Sequence, residues 1–284
     1  MKIGCGTVNF RKYSLQEALK RISKAGYKYV EPQATAPFCP HVNVYKDDPN
    51  EFRRLIESYG FKGATGLWSQ HGALLTDEQS VPDIKKTIKW AHEAEIPIVI
   101  CGDGKKPEYM SDEKAFKVLE EKLSDILEVA EKYGVYLAIE PHGTFSLTAE
   151  GLKRIMSLCP SKWLGINYDT ANVHRASYVE TVRGAYSWRI FGRKQDEVAT
   201  LTEVVDKVIH VHVKDVVKDK CVALGRGEVN IIGCLKVLKE HNYDGVLSLE
   251  TEGEYPADEA QRLIEESRNY LIKALKKLNV QINS

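Results

Sequence analysis

Four of the short apolar runs in this chain end in side chains that can bind a cation or move a proton. AIEPHG carries Glu140, INYDTAN carries Asp169, VIHVHVKD carries His210 and His212, and LSLETEG carries Glu250. A strand interior is apolar, so a carboxylate at its end is costly to bury unless it is paired or bound to a metal. His210 and His212 are two apart and therefore share one side of a strand. Three carboxylates and an imidazole brought to one point form a hard, oxygen-rich set. It suits one divalent ion, with Mn2+ placed first and Mg2+, Co2+ or Fe2+ as alternatives. Zn2+ also accepts Asp, Glu and His ligands.

Such a convergence needs a scaffold that gathers strand ends. Apolar, β-branched runs at 2–5, 27–31, 61–66, 97–101, 135–140, 164–169, 208–213 and 245–250 read as strands. Amphipathic stretches at 14–25, 49–59, 81–95, 112–133, 148–158, 231–240 and 257–278 read as helices between and after them. In the first helix Leu15, Leu19 and Ile22 have helical spacing, and Gly26 is a natural stop. Alternation with no strand-hairpin signal implies parallel strands joined by right-handed crossovers. The count of about eight, and the absence of a GxGxxG fingerprint after the first strand, favour a closed (β/α)8 TIM barrel over an open doubly wound sheet. The whole of 1–284 is expected to be a single TIM-barrel domain of the α/β class, and barrels of this kind carry their chemistry at the C-terminal ends of the strands.

Two segments break the rhythm: a loop at 34–48 and an insertion at about 176–203 between the sixth and seventh strands. The insertion sets Tyr178, Tyr186, Trp188 and Phe191 beside Arg175, Arg183, Arg189 and Arg193. It reads as a lid, a subunit interface or mobile surface, and interleaved aromatics and arginines suit an interface.

Composition bounds the rest. The 284 residues are 43% hydrophobic and 28% charged, ordinary values for a soluble globular protein. Lys plus Arg and Asp plus Glu both number 40, so the basic excess typical of nucleic-acid binders is missing and no nucleic acid partner is expected. Six scattered cysteines form no CxxC pair and read as reduced structural thiols. No apolar run is long enough for a signal-peptide core or a membrane helix. The expectation is a cytoplasmic protein with a small-molecule substrate and no membrane partner.

The ordered motifs IEPHG, NYDTANVH, HVHVKD, GRGEVN and LETEG resemble the xylose isomerase-like superfamily over essentially the whole chain. That superfamily includes sugar isomerases and epimerases, inosose dehydratases and the endonuclease IV branch. The resemblance implies that Glu140, Asp169, His212 and Glu250 ligate the metal. In the ketose 3-epimerases the two glutamates also act as the acid/base pair that inverts a carbon next to a carbonyl through an enediolate. It therefore implies a divalent-metal-dependent sugar or polyol isomerase or epimerase, and a homo-oligomer. The alternative is a lyase that uses the same site for β-elimination, as in inosose-type dehydratases or 3-keto-C-glycoside deglycosidases. An endonuclease IV-type phosphodiesterase, which needs three metals, and a non-catalytic barrel rank lower.

Departures from the family pattern set the remaining expectations. Asn172 stands where the 3-epimerases have a substrate-touching histidine, and His174 follows two further on; the missing histidine also leaves the endonuclease cluster incomplete. His142, two residues after Glu140, is a candidate base for the lyase reading. Trp68 and His71 after the third strand, with Asn172, His174 and Arg226, are candidate substrate contacts, a Trp face being a common sugar-stacking surface. Glu31 and His210 are expected to support the ligands by hydrogen bonds. Phe38 and His41 are candidate pocket walls.

Overall fold

The computed structural model describes residues 1–182, 184–190 and 194–283. Arg183, Phe191 and Arg193 of the insertion lie outside the described residues.

The strands are β1 (Lys2–Gly6), β2 (Tyr29–Glu31), β3 (Gly63–Ala64), β4 (Leu67–Ala73), β5 (Ile98–Gly104), β6 (Tyr136–Gly143), β7 (Leu164–Asp169), β8 (Ser177–Val182), β9 (Ala185–Ile190), β10 (Val208–Val213), β11 (Asp215–Val217), β12 (Lys220–Val222) and β13 (Val246–Leu249). The helices are α1 (Leu15–Lys24), α2 (Pro49–Ser58), α3 (Ser80–Glu93), α4 (Asp112–Tyr133), α5 (Ala149–Leu158), α6 (Thr170–Arg175), α7 (Glu197–Val204), α8 (Ile231–Glu240) and α9 (Ala257–Lys277). Side chains set their limits. Ser14, Ser111 and Thr148 accept backbone N–H bonds at the starts of α1, α4 and α5. Gly134 ends α4 at φ 65°, a left-handed conformation that costs other residues about 1 kcal/mol or more.

The parallel strands run in the order β3-β2-β1-β13-β10-β7-β6-β5-β4. The two ends of that series, β3 and β4, are consecutive in the chain. The sheet thus closes on itself through one kinked strand, with Gln33 bridging to Trp68 across the join. The fold is a (β/α)8 TIM barrel. The third strand was expected at 61–66; it instead pairs at 63–64, kinks, and resumes at 67–73. Gly66 sits at the kink, where a β-carbon would press on Ile100 Cδ1 at 3.2 Å and touch the Glu31 carboxyl and His210 ring at ordinary contact distance.

The expectation of no strand hairpins is corrected. β8 and β9 pair antiparallel within the insertion, and β11 and β12 do so after β10. These strands leave the barrel at its C-terminal rim and pair locally, so they carry no signal in the strand–helix alternation. The short α6 was not anticipated either. The main apolar core lies between strands and helices, with Leu19, Ile22, Ile84, Ile88, Leu123, Ile126, Ile155 and Leu271 fully buried. A smaller cluster of Trp68, Ile98, Ile100 and Ala138 packs separately. Among the described residues, no helix is long and apolar enough to cross a membrane.

Candidate metal centre

Glu140 lies in β6, Asp169 ends β7, His212 lies in β10 and Glu250 follows β13. These strands are neighbours in the barrel apart from the order of their entry, so their ends share one rim. One ligand atom from each of the four residues falls within 4.8 Å of the others, and all four side chains are buried. Glu31, His210 and His212 form a second such group beneath them.

The surrounding hydrogen bonds orient these groups. Asp169 Oδ1 accepts the Ala171 and Asn172 backbone N–H groups at 2.9 and 2.8 Å and so starts α6. Its Oδ2 is buried and faces the Lys214 ammonium at 2.7 Å. Glu140 Oε2 accepts from Trp68 Nε1 and Asn167 Nδ2, each at 2.8 Å, and Oε1 accepts from Asn172 Nδ2 at 3.1 Å. Gln33 Nε2 donates to Glu250 Oε1 at 2.9 Å. His212 Nε2 meets Glu31 Oε1 at 2.7 Å, while Nδ1 faces Glu140 at 3.1 Å and Glu250 at 3.4 Å. A carboxylate behind an imidazole, fixing which nitrogen faces inward, is how metal-binding histidines are held. His210 instead faces Asn167 Oδ1 at 2.9 Å and Glu31 at 3.4 Å, away from the four-residue point.

One group was not foreseen. Lys214, fully buried, places Nζ 2.7 Å from Asp169 Oδ2, 2.9 Å from Glu250 Oε2 and 3.0 Å from Glu252 Oε1. Arg175 completes the network through Glu252 Oε2 at 3.0 Å. Burial opposes both charges, but Lys214 and Arg175 hold Glu252 down at about 2. Burial likewise opposes Lys214 itself, and Asp169, Glu250 and Glu252 raise it well above its ordinary value. Burial lifts Glu250 to about 7 against the pull of His212 and Lys214. Burial would lower His212, yet Glu250, Glu31 and Glu140 raise it well above the ordinary range. Burial would raise Glu31, yet His212 and His210 hold it at about 2. His210 itself is lowered to about 4, chiefly by burial.

Five buried carboxylates here face Lys214, Arg175 and the His212 ring. Carboxylates outnumber the fixed cations, and ligand atoms of four of these residues lie within 4.8 Å of one another. Both facts fit a divalent cation among Glu140, Asp169, His212 and Glu250.

A cavity of about 20 Å3 opens on this point, lined by Glu140, Glu250, Glu252, Gln33, Trp68 and His142, and roofed by Phe38, Val179 and Thr181. The His142 ring packs 4.8 Å from Trp68 and 4.6 Å from Tyr178, and burial lowers its pKa. Among the expected substrate contacts, only Trp68 lines this cavity. Asn172 lies against Glu140 and binds it. His71 is buried in β4 and is not part of the lining. His174 is turned outward to Glu197 at 2.8 Å. Arg226 is exposed and pairs with Glu266 on α9 at 3.0 Å. Its loop folds that way because the Asp215 carboxylate accepts the Gly225, Gly227 and Val229 N–H groups, fixing Arg226 on the outside of the turn. His41 meets the Tyr13 carbonyl, away from the cavity that Phe38 roofs.

The residues missed were legible by strand alternation. Gln33 follows Glu31 by two, Lys214 follows His212 by two, Glu252 follows Glu250 by two, and Asn167 precedes Asp169 by two.

The family model described as xylose isomerase-like TIM barrel matches residues 19–274. An uncharacterized protein of Methanocaldococcus jannaschii is 29% identical over 196 residues, covering 66% of this chain and 61% of that protein. An inosose dehydratase of Clostridium perfringens is 26% identical over 201 residues, covering 64% of this chain and 59% of the enzyme. The chain thus spans about three fifths of the length of these curated relatives. Among solved structures, a D-tagatose 3-epimerase-like protein superposes with a TM-score of 0.77 at 22% identity, covering 98% of both chains. The IolI protein with a bound zinc atom superposes with a TM-score of 0.76 at 16% identity, covering 98% of this chain and 99% of that one.

Proposed function

The chain belongs to the xylose isomerase-like TIM-barrel family, and on that premise we propose that it is a divalent-metal-dependent sugar or polyol isomerase or epimerase, with 1–284 acting as one domain. The observation that carries this reading is the convergence of Glu140, Asp169, His212 and Glu250 within 4.8 Å, beneath a cavity that both glutamates line. These four residues hold the ion, for which Mn2+ is the first choice. Bound there, it would supply Lewis acidity to the substrate carbonyl. Glu140 and Glu250 form the acid/base pair: one takes the proton from the carbon next to the carbonyl, and the other returns it on the opposite face. Gln33 fixes Glu250, and Trp68, Asn167 and Asn172 fix Glu140, so both carboxylates are oriented before substrate arrives. Trp68, with its indole N–H committed to Glu140, offers its remaining surface to the sugar.

A specific observation supports a second reading, β-elimination on a keto sugar. His142 lines the cavity, and burial favours its neutral form, which suits a base. The likeness to inosose dehydratases agrees with it.

The test is metal content together with solvent-deuterium incorporation on a panel of ketoses, keto-inositols and 3-keto-glycosides. One metal per chain and deuterium entering beside a carbonyl support the shared chemistry. An epimer as product selects the first reading, an alkene or released leaving group the second. In His142→Ala, loss of elimination with exchange intact supports the lyase. Absence of both metal and exchange overturns the assignment.

A further inference from the structure

The cavity above the candidate ligands, about 20 Å3, is far below the roughly 300–1,000 Å3 of ordinary small-molecule sites. Beside it lies a cleft of about 810 Å3 that falls within that range. Arg11 in the cleft wall follows β1, Ser177 and Tyr186 belong to the β8–β9 hairpin, Lys220 begins β12, and Glu252, Glu254 and Tyr255 follow β13. Four different strand exits build it, so it opens on the same rim as the candidate metal centre.

The two spaces share a wall. Glu252 lines both, and its carboxylate is fixed from behind by Lys214 and Arg175. Against Glu252, whose backbone carbonyl accepts from Arg11 Nε at 3.1 Å, stands a stack of three side chains. The Arg11 guanidinium lies 4.4 Å from the Phe38 ring and 5.5 Å from the Tyr186 ring, and the two rings meet edge-on at 5.1 Å. Phe38 lines the small cavity while Arg11 and Tyr186 line the cleft, so this stack borders both.

We propose that the cleft is a second sugar-binding subsite, which takes the ring or aglycone that a neutral glycoside extends beyond the ring reacting at the candidate metal centre. The inference rests on the reaction proposed above and narrows its substrate to keto-glycosides rather than free monosaccharides. The lining decides the ligand class. Tyr186, 39% exposed, offers an aromatic face of the kind that stacks on sugar or aryl rings, while Lys220 covers the largely buried Tyr255 ring at 5.4 Å. Glu254, 42% exposed beside Arg11 and Lys12, keeps carboxylate lone pairs that can accept from hydroxyls, and the exposed Lys220 can donate to them. Carboxylates outnumber cations in the lining, Asp219 and Glu259 included, which disfavours phosphorylated or acidic ligands and leaves uncharged, hydroxyl-rich ones.

The experiment is isothermal titration of the Mn2+-loaded protein with phenyl β-D-glucopyranoside and with D-glucose, a readout that needs no turnover. The glycoside is expected to bind at least about tenfold more tightly than glucose. Tyr186→Ala should erase most of that difference, by the tenfold or so that an aromatic stacking contact carries. Lys220→Ala, on a separate loop and exposed, should weaken the glycoside about threefold and keeps the test valid if the hairpin is disturbed. Equal affinity for the two sugars, or a preference that survives in both variants, overturns the subsite. Such a failure with metal binding and deuterium exchange intact leaves the proposed reaction standing. A positive titration without exchange leaves a glycoside cleft on a barrel with different chemistry.

Discussion

Replacing Lys214 with methionine should destabilise the metal-free protein and tighten its grip on a divalent ion. Nζ sits 2.7–3.0 Å from carboxylate oxygens of Asp169, Glu250 and Glu252, with the side chain fully buried. A pair of unit charges at 4 Å in an effective dielectric near 20 attracts by about 4 kcal/mol. Desolvation of the ammonium offsets much of the sum over three such contacts. The measured consequence of removing one partner from a buried ion pair is about 3–5 kcal/mol, because the remaining charges are left uncompensated. Glu250, already lifted to about 7 by burial, can take up a proton and soften the loss, and Arg175 still neutralises part of Glu252. A loss of about 3 kcal/mol is therefore expected in EDTA, against total stabilities of roughly 5–15 kcal/mol for folded domains. A divalent ion would meet the same oxygens of Asp169 and Glu250 without an ammonium opposing it. Its affinity for Lys214→Met should rise at least about tenfold, and at a free concentration 100 times Kd it should restore about 2.7 kcal/mol. Urea unfolding of both proteins in EDTA and in saturating Mn2+, with Mn2+ titration of each, measures all of these. Equal stability in EDTA would show that Lys214 does not balance the cluster. Unchanged or weaker Mn2+ affinity would show that its ammonium does not oppose the ion.

Glu250→Gln retains an acceptor for Gln33 but removes a charge facing Lys214 and His212, so it should lose stability yet still fold, while losing about 10²–10⁴-fold in turnover, the usual worth of a positioned acid or base; full activity in a deuterium-exchange assay would remove it from the mechanism. His212→Ala should weaken Mn2+ binding by at least about 100-fold, whereas His210→Ala, which removes a contact to Asn167 and Glu31, should weaken it far less; the reverse order in a titration would exchange their roles. Asp103 should make the protein less stable as pH rises from about 4 to 6. Burial raises its carboxyl to about 6, above the ordinary Asp value of 3.8, so over that window the folded state binds a proton that the unfolded state has released. The loss has a ceiling of about 3 kcal/mol, and Asp103→Asn should flatten it in urea melts; an identical pH profile in the variant would refute the assignment.

The barrel and its four inward strand ends were legible because each leaves a local signature. Apolar runs of four to six residues alternate with helical spacing, and a charged residue at the end of such a run stands out. The kink at Thr65–Gly66 left no comparable trace. Its surroundings are tertiary: the tightest neighbour a β-carbon there would meet is Ile100 of β5, at 3.2 Å. The β8–β9 hairpin was read only as an insertion, because its strands pair with each other and not with the barrel, so neither the helical nor the strand period of the barrel repeats through it. His174 and Arg226 show the limit of reading proximity from sequence. Each lies within a few residues of a motif, yet Glu197 and Glu266, distant in the chain, decide where they point.

Lys214 sharpens that point, since it stands two residues beyond His212 on the same face of its strand. The alternation that brings His210 and His212 together also delivers Lys214, but a lysine beside a presumptive metal site reads as solvated surface until its partners are known. Those partners come from two other strand ends, β7 and β13, and only a closed barrel sets them side by side. Closure therefore does more than gather ligands. It places an internal cation among Asp169, Glu250 and Glu252, and so lets five carboxylates be buried in one rim before any metal ion arrives. A site filled entirely by carboxylates would bind the ion more tightly but would repel itself in its absence. With a divalent ion in the proposed site, the ammonium would exchange some metal affinity for a fold that can form first, and comparing Lys214→Met with the wild type, with and without Mn2+, measures both sides of that exchange.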